Sequence, residues 1–299
     1  MKNLKTIVLT GSTGFIGSHL SSYLLKQGYR LILPVRKLPS CNVDSRLIYW
    51  RISPNWDSFS SLLKQYRPDG VIHLATHFLQ SHQIDDISEM INCNIEFGIK
   101  ILDVAVKADI NYFLNIGTFW QHFDGNDYNP VNFYAATKQA FEVLATYYQN
   151  FYPINFVTLC LNDTFGPGDT RKKLFALWKE LLTTSDKSML MSSGEQLLDI
   201  LYIDDVVDGI AHLLSMLENS SVPKLENRFY LSSNNLLSIK NLAQIFERIS
   251  GKKLNVQWGA MPYRVKEVFY PKCAGKPLIG WKPKVSLEDG IRKFIMEKK

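Results

Sequence analysis

The feature that most constrains the fold of this chain is a glycine-rich turn close to its start. Residues 6–10 (TIVLT) are typical of a buried β-strand, and residues 11–17 (GSTGFIG) follow them directly. Apolar residues then recur at helical spacing until Gly28, a residue type that commonly ends helices. A strand, a glycine turn and a helix in this order predict the first unit of a parallel sheet with helices on both faces.

The rest of the chain continues this alternation. We expect further strands at residues 31–35, 47–50, 71–75, 113–116, 156–161, 189–191 and 227–231. We expect further helices at residues 84–108, 133–150, 171–182, 204–217, 238–249 and 286–295. The predicted fold class is therefore α/β, a Rossmann doubly wound parallel sheet with a smaller C-terminal lobe.

Composition excludes several classes of protein. Of the 299 residues, 46% are hydrophobic and 12% are aromatic, which is too much apolar surface for a disordered chain. No apolar run approaches the ~18–20 residues that span a bilayer, so we expect no membrane segment. The four cysteines form no closely spaced pair, which predicts free thiols, no metal site and a cytoplasmic location.

Positive charge is concentrated near the C-terminus. Residues 251–299 contain 12 lysines and arginines and 4 acidic residues, whereas the rest of the chain is slightly acidic. This bias fits the attraction of a polyanionic ligand, and it equally fits a solvated surface without a ligand. We do not expect nucleic-acid binding, because no basic and aromatic binding motif accompanies the charge.

The glycine turn predicts a site for the phosphates of a dinucleotide. A tight turn, close backbone approach to a pyrophosphate and close packing of helix on strand all favour residues without side chains. The N-terminus of the following helix supplies free N–H groups for the phosphates. The second strand is followed by Arg36 and Lys37 rather than by the acid that binds the ribose of NAD. These cations predict a preference for NADP(H), whose 2′-phosphate they would bind.

A tyrosine and a lysine supply the expected catalytic groups. Tyr134 and Lys138 are four residues apart in a predicted helix, so their side chains lie on one face. A free tyrosine has a pKa near ~10, and the neighbouring ammonium is expected to lower it. Lys138 could also bind the hydroxyls of a nicotinamide ribose. Thr118 ends a predicted strand and could hydrogen-bond the same substrate oxygen as Tyr134.

Taken together, these motifs resemble those of the extended short-chain dehydrogenases/reductases that act on nucleotide sugars. The similarity includes the opening strand and glycine turn, Asn94, and residues 72–75 (IHLA), 166–167 (GP), 202–206 (YIDDV) and 280–283 (GWKP). It covers nearly the whole chain. The resemblance implies that Thr118, Tyr134 and Lys138 form the catalytic triad, with Tyr134 as proton donor or acceptor.

The resemblance also implies which residues contact each ligand. The expected cofactor contacts are Gly11, Thr13, Gly14, Phe15, Ile16, Gly17, Arg36, Lys37, Leu74, Ala75, Asn94, Tyr134 and Lys138. The expected contacts with a nucleotide-diphosphate sugar are Thr118, Phe119, Trp120, Asn162, Arg171 and Arg264. Residues 1–162 are then the NADP(H)-binding domain, which 199–232 are expected to rejoin, and 163–198 and 233–299 form the substrate lobe. Relatives often pair through two helices from each subunit, which implies a homodimer using 84–108 and 133–150.

Departures from the family pattern narrow the expected reaction. Cys160 and Leu198 stand where the family often has arginines, so a cation among residues 171–173 would have to replace one phosphate contact. Dehydratase relatives carry two acids after the threonine, whereas Thr118 is followed by phenylalanine and tryptophan. Residues 117–121 and 133–148 are similar to 4-ketoreductases of the abequose and paratose synthase type. We therefore expect NADPH-dependent reduction of a CDP- or dTDP-linked 4-keto-6-deoxy sugar, for bacterial surface polysaccharide.

Two alternatives stay open at this point. A nucleotide-sugar 4-epimerase uses the same triad with tightly bound NAD, although an acid after the second strand would have favoured it. A non-catalytic cofactor-binding scaffold needs the glycine turn but has no use for Tyr134 and Lys138.

Overall fold

A parallel β-sheet forms the centre of the protein. The computed structural model describes residues 4–41, 44–123, 125, 128–184, 187–219 and 227–296. Its strands are β1 (Thr6–Thr10), β2 (Arg30–Val35), β3 (Leu47–Arg51), β4 (Gly70–His73), β5 (Tyr112–Thr118), β6 (Asn155–Leu161), β7 (Asp163–Phe165), β8 (Met189–Met191), β9 (Leu197–Tyr202), β10 (Arg228–Tyr230), β11 (Leu236–Ser238), β12 (Val256–Trp258) and β13 (Lys276–Pro277). Its α-helices are α1 (Phe15–Lys26), α2 (Trp56–Tyr66), α3 (Asp86–Ile91), α4 (Phe97–Lys107), α5 (Phe133–Phe151), α6 (Leu174–Leu181), α7 (Ile203–Glu218), α8 (Ile239–Ser250) and α9 (Leu287–Met296).

The order of strands in the central sheet is β13-β10-β6-β5-β4-β1-β2-β3, and all neighbours in it are parallel. β1 lies between β2 and β4, so the winding of the chain reverses there, as in doubly wound sheets. The carboxyl ends of β1 and β4 therefore meet at one edge of the sheet. This order confirms the predicted α/β fold with a Rossmann doubly wound sheet.

Each face of the sheet carries its own apolar core, because successive side chains of a strand point to opposite sides. Ile7 and Leu9 of β1 belong to the same core as Leu20 and Leu24 of α1, whereas Val8 belongs to the other. Helices α1 and α7 cover the first face, and α2, α4 and α5 cover the second.

Smaller sheets lie beside the central one. β7, β9 and β11 form a three-stranded sheet, and β8 pairs with β12. Residues 199–232 are expected to rejoin the cofactor-binding domain. Of this segment, β10 joins the central sheet next to β6, whereas the residues that belong to β9 lie in the three-stranded sheet. β13, from the stretch assigned to the substrate lobe, also joins the central sheet. The division into a cofactor domain and a substrate lobe stays a prediction.

The helix predicted at 84–108 is interrupted. α3 ends at Ile91, the segment Asn92–Glu96 forms a wider π-helical turn, and α4 begins at Phe97. Such insertions are frequent at functional sites, and this one carries the buried Asn94.

Sequence reasoning did not predict α2 or the strands β7, β9, β11, β12 and β13. Asn55 caps α2 by accepting hydrogen bonds from the N–H groups of Asp57 and Ser58. Among the helices of the described residues, none is both long and apolar enough to cross a membrane.

Candidate active site

The glycine turn packs against the end of β4 at the point where the winding reverses. Gly11 has a φ of +69°, and a Cβ built on it would lie 2.7 Å from the backbone nitrogen of Ala75. A Cβ on Gly17 would lie 2.1 Å from the carbonyl oxygen of Gly11. Close backbone approach therefore requires glycine at both positions. β4 ends at His73, two residues earlier than predicted, and Leu74 and Ala75 lie against the turn instead.

Thr10 connects the glycine turn to the end of β4. Its hydroxyl accepts a hydrogen bond from the N–H of Ala75 at 3.1 Å and bonds Nδ1 of His73 at 2.9 Å. Burial, together with the charge of Lys138, lowers the pKa of His73 to about 3. This imidazole is therefore neutral and packs among phenylalanine rings rather than acting as a base.

The rest of the turn leads into α1. Thr13 and Gly14 are exposed, and Phe15 and Ile16 are half-buried. No side chain of the described part of the chain caps this helix, so its first N–H groups are available to an anion. The guanidinium of Arg171 lies over the Phe15 ring, with Cζ 4.6 Å from the ring centre.

Two exposed cations, Arg36 and Lys37, follow β2. Neither forms a hydrogen bond or an ion pair with the described residues. Burial raises the pKa of the Cys93 thiol, and the charges of Arg36 and Lys138 lower it. Arg36 is predicted to contact the 2′-phosphate of the cofactor and Lys138 its nicotinamide ribose. Both cations thus act on the thiol of Cys93.

Asn94 holds the loop after β4 to α5. Its Oδ1 accepts hydrogen bonds from the Thr76 hydroxyl at 3.0 Å and from the N–H of His77 at 2.6 Å. Its Nδ2 donates to the carbonyl of His77 at 3.0 Å and to the Thr137 hydroxyl at 2.9 Å. The amide is therefore saturated by protein partners. Direct contact between Asn94 and the cofactor stays a prediction.

Tyr134 is half-buried in the first turn of α5. Burial raises the pKa of Tyr134 to about 12, while a hydrogen bond with Thr76 and the positive charge of Arg171 act in the opposite direction. The expected lowering of this pKa by Lys138, together with an oxidised nicotinamide ring, stays a prediction. The cation that acts on the phenol is Arg171, which lies in the loop between β7 and α6.

Lys138 lies one turn further along α5 and is only 2% exposed. Its pKa is lowered to about 8, because the effect of burial exceeds the opposing effect of the Glu142 carboxylate. Its ammonium forms no hydrogen bond with the described residues. A buried ammonium without such partners is unfavourable, so this group fits a ligand that brings hydroxyl oxygens.

Thr118 ends β5 and is nearly buried. Its Oγ1 accepts a hydrogen bond from the N–H of Trp120 at 3.3 Å. Its own N–H donates to Oε1 of the fully buried Gln121 at 2.9 Å. Gln121 therefore fixes the backbone from which the Thr118 hydroxyl projects.

Three aromatic rings, which we call the aromatic cluster, join the end of β5 to α5. Phe78 meets Tyr134 edge to face at 5.0 Å and lies 5.8 Å from Trp120, measured between ring centres. Trp120 is half-buried, whereas the neighbouring Phe119 is buried. Phe119 thus has less surface to offer a substrate than the aromatic cluster has.

The side chains of Asn162, Arg171 and Arg264 are each bound to a protein carboxylate. Arg171 pairs with Asp169 at 2.7 Å, and Arg264 pairs with Glu267 at 2.6 Å. Asn162 donates a hydrogen bond to a buried carboxylate of β9 at 2.9 Å. Arg171 alone among them is connected to the catalytic residues, and substrate contact by all three stays a prediction.

Several residues that support the site were missed by sequence reasoning: Thr76, Phe78, Gln121, Glu142, Asp163 and Arg228. Glu142 could have been found, because it follows Lys138 by one helical turn. Lys173 was considered only as one of three cations that could bind phosphate, but it bonds Asp163 at 3.1 Å and lies 5.9 Å from the centre of the Phe78 ring. These two neighbours come from β7 and from the segment after β4, which only the folded chain brings together.

These features together fit a nicotinamide dinucleotide. The start of α1 has N–H groups that no side chain of the described residues caps, Lys138 can bind ribose hydroxyls, and Arg36 and Lys37 are exposed cations. Residues 7–227 match the NAD dependent epimerase/dehydratase family. The chain belongs to this family. The match spans the glycine turn and all three predicted catalytic residues, and it confirms the resemblance stated from the motifs.

Similar proteins extend over the whole chain. A CDP-abequose synthase from Salmonella typhimurium is 27% identical over 298 residues, which cover 97% of each chain. A UDP-glucuronate 4-epimerase from Thermodesulfobacterium geofontis is 24% identical and covers 96% of this chain and 94% of its own.

A solved structure shows the same fold. It is a variant of UDP-glucuronic acid 4-epimerase from Bacillus cereus, in complex with UDP-4-deoxy-4-fluoro-glucuronic acid and NAD. Its TM-score is 0.80 at 22% identity, and the match covers 97% of this chain and 98% of that one.

Replacing Gly11 by alanine should weaken dinucleotide binding at least about 10-fold, which corresponds to about 1.4 kcal/mol. The new Cβ would meet the backbone of Ala75, which Thr10 holds in place. Gly28→Ala is the matched control, because its φ is +86° but a Cβ there meets nothing within 4 Å. Fluorescence titration with NADPH and NADH measures the effect. Equal loss of affinity in both variants would show that backbone strain, not close approach, is responsible.

Proposed function

We propose that this protein uses NADPH to reduce the keto group of a nucleotide-linked 4-keto-6-deoxy sugar. One observation carries the proposal: the phenol of Tyr134 lies one turn of α5 from the buried ammonium of Lys138, and that ammonium forms no hydrogen bond with the described residues. Thr118 is followed in the sequence by Phe119 and Trp120 rather than by the two acids that dehydratase relatives carry, which disfavours dehydration.

The proposed roles follow from the protonation states. Bound NADPH would supply the hydride for the keto carbon. Tyr134 would donate the proton that completes the new hydroxyl, and Thr118 would hydrogen-bond the same oxygen. A pKa of about 12 keeps Tyr134 protonated at neutral pH, which is the form a proton donor needs. Arg171 and Thr76 would stabilise the phenolate left behind, and Lys138 would bind the ribose of the cofactor.

The proposed substrate rests on relatives and on the surface beside Tyr134. The CDP-abequose synthase matches this chain end to end. The aromatic cluster offers apolar surface next to the phenol, which suits the methyl group of a 6-deoxy sugar better than a hydroxymethyl group. Arg171, Lys173 and Arg264 are cations of the substrate side that could bind a diphosphate. Both CDP- and dTDP-linked sugars fit these features.

A 4-epimerase is the second candidate, favoured by the end-to-end similarity to a UDP-glucuronate 4-epimerase. Epimerisation would begin with proton removal by Tyr134 and would need tightly bound NAD, whereas β2 is followed by Arg36 in place of an acid that would bind the ribose of NAD. A non-catalytic scaffold would not need the buried ammonium of Lys138.

The deciding experiment follows NADPH absorbance after mixing the purified protein with CDP-4-keto-6-deoxyglucose or dTDP-4-keto-6-deoxyglucose. Stoichiometric oxidation would support the reductase, and the faster substrate would identify the nucleotide. Absence of oxidation, together with NAD released on denaturing the protein, would support the epimerase. Absence of both would support the scaffold.

Tyr134→Phe should abolish turnover, with a loss of at least about 100-fold, because general acid catalysis contributes about 10²–10⁴-fold. NADPH affinity should stay within about 3-fold, since only a hydroxyl is removed. Tyr147→Phe, an exposed tyrosine on the same helix, is the control and should turn over normally. Unchanged turnover in Tyr134→Phe would overturn the catalytic assignment.

Arg36→Ala should raise the KM for NADPH about 10-fold or more and leave the KM for NADH within about 2-fold. The reason is that a charge-assisted hydrogen bond to the 2′-phosphate contributes about 1.5–3 kcal/mol, and NADH has no such phosphate. Arg30→Ala removes a cation from the opposite end of β2 and serves as control. A parallel rise in both KM values would contradict a role in cofactor choice.

We also propose a cytoplasmic homodimer that pairs through α5. Val143, Leu144, Tyr147 and Phe151 form an exposed apolar stripe along this helix, and Phe151 is 71% exposed. An apolar stripe of this size on one helix is typical of a protein interface. The four cysteines are free thiols, which suits a reducing compartment.

Leu144→Asp should convert the dimer to a monomer, because a carboxylate cannot be buried unpaired in an apolar interface. Ile279→Asp, at a similarly exposed apolar residue away from α5, should leave the dimer intact. Sedimentation velocity measures both. A wild-type protein that sediments as a monomer, or a dimeric Leu144→Asp variant, would refute this interface.

A further inference from the structure

A buried carboxylate lies behind the catalytic residues. The side chain of Glu142 on α5 is 9% exposed. Its carboxylate accepts hydrogen bonds from Nε2 of Gln121 at 2.9 Å and from Nδ2 of Asn115 at 3.3 Å. It also forms an ion pair with the guanidinium of Arg228. The predicted roles of Tyr134, Lys138 and Thr118 do not require any of these contacts.

Arg228 reaches this carboxylate from the neighbouring strand. It begins β10, which pairs with β6 in parallel register. Its second guanidinium nitrogen donates a hydrogen bond to Sγ of Cys160 at 3.1 Å. The ion pair therefore ties α5 to the central sheet beneath the site. Buried ion pairs are expensive to desolvate and add little to stability by themselves, so this one invites a functional explanation.

One side of the carboxylate leads to Thr118. Gln121 donates to Glu142 through Nε2, and its Oε1 accepts the N–H of Thr118 at 2.9 Å. Nε2 of Gln121 also donates to Oε1 of Gln139 at 2.8 Å. An amide such as Gln139 can turn to present either a donor or an acceptor, whereas the carboxylate of Glu142 can only accept, so Glu142 sets the orientation of Gln121. That orientation presents the acceptor oxygen to the strand end that carries the Thr118 hydroxyl.

The other side leads to Lys138. Glu142 follows Lys138 by four residues on the same helix, and its charge favours the ammonium form. The other titratable groups that face Lys138 are Cys93 in the π-helical turn, Cys160 on β6 and His73 on β4. His73 is neutral, and both thiols have pKa values raised by burial. Glu142 is therefore the anion that opposes the desolvation of the ammonium.

We propose that Glu142, fixed by Arg228, is a positioning residue that orients Thr118 through Gln121 and keeps Lys138 charged. This inference rests on the proposed catalytic roles of Thr118 and Lys138. It also assigns Arg228 an indirect part in the reaction. This residue lies on β10, outside the elements that carry the catalytic residues, and its side chain is 18% exposed.

The test compares wild type with Glu142→Gln and with the double variant Glu142→Gln/Arg228→Gln. The single variant leaves a buried guanidinium unpaired and could fail to fold, whereas the double variant removes both charges. Arg248→Gln/Glu288→Gln, which neutralises an exposed ion pair between α8 and α9, is the matched control. Each protein is assayed for kcat and KM across pH and examined by NMR of ¹³C-labelled lysine, with Lys138 assigned by a Lys138→Arg spectrum.

We expect the double variant to fold, to lose kcat about 10-fold or more, and to keep the KM for the sugar nucleotide within about 3-fold. The titration midpoint of Lys138 should fall by about 1 pH unit, because the ammonium loses its neighbouring anion. The alkaline limb of the kcat profile should move to lower pH in the same direction. The amide signal of Thr118 should also shift, since Gln121 loses its fixed orientation.

A double variant with wild-type kcat and an unmoved Lys138 midpoint would overturn the proposal and leave the ion pair as a structural link between α5 and β10. A wild-type protein that reduces neither keto sugar would contradict the proposed function alone. In that case the Lys138 midpoint and the Thr118 amide signal, neither of which needs a substrate, still decide whether Glu142 acts on these two residues.

Discussion

Backbone contact between Gly11 and Ala75 is the constraint on which the rest of the site depends. The two segments leave adjacent parallel strands at the same edge of the sheet, and only a glycine at position 11 lets them approach this closely. The contact ends β4 at His73 and sends the following residues towards α5. There the hydroxyl of Thr76 meets Asn94 and Tyr134. The cofactor side and the catalytic side of the site are thus fixed by one crossing of the chain.

Helix α5 organises the catalytic side, because residues four positions apart on it lie on the same inner face. Tyr134, Lys138 and Glu142 follow each other by single turns and meet different neighbours. Tyr134 meets the loop after β4, Lys138 faces buried thiols and an imidazole, and Glu142 meets β5 and β10. Its outer face carries the exposed apolar stripe. One helix therefore connects the chemistry to the proposed subunit interface.

The distribution of charge around the phenol differs from the simplest view of a tyrosine–lysine pair. Lys138 is buried and lies within the field of Glu142, whereas the cation that acts on Tyr134 is Arg171. Arg171 also stacks on Phe15 at the start of α1 and pairs with Asp169. A residue expected to bind substrate phosphate thus links the glycine turn to the proton donor. Movement of Arg171 towards a diphosphate would change the charge next to the phenol.

The sequence by itself determined the alternation of strands and helices, the glycine turn and the Tyr134–Lys138 spacing, because alternation, glycine placement and helical period are local patterns. It could not locate the π-helical turn that buries Asn94, since the tertiary contacts of that residue override the uninterrupted helical pattern. Only the tertiary structure decided that Arg171 acts on Tyr134 and that Arg228 pairs with Glu142. The latter two residues are 86 positions apart, and the order of strands in the sheet, which no local pattern records, makes them neighbours.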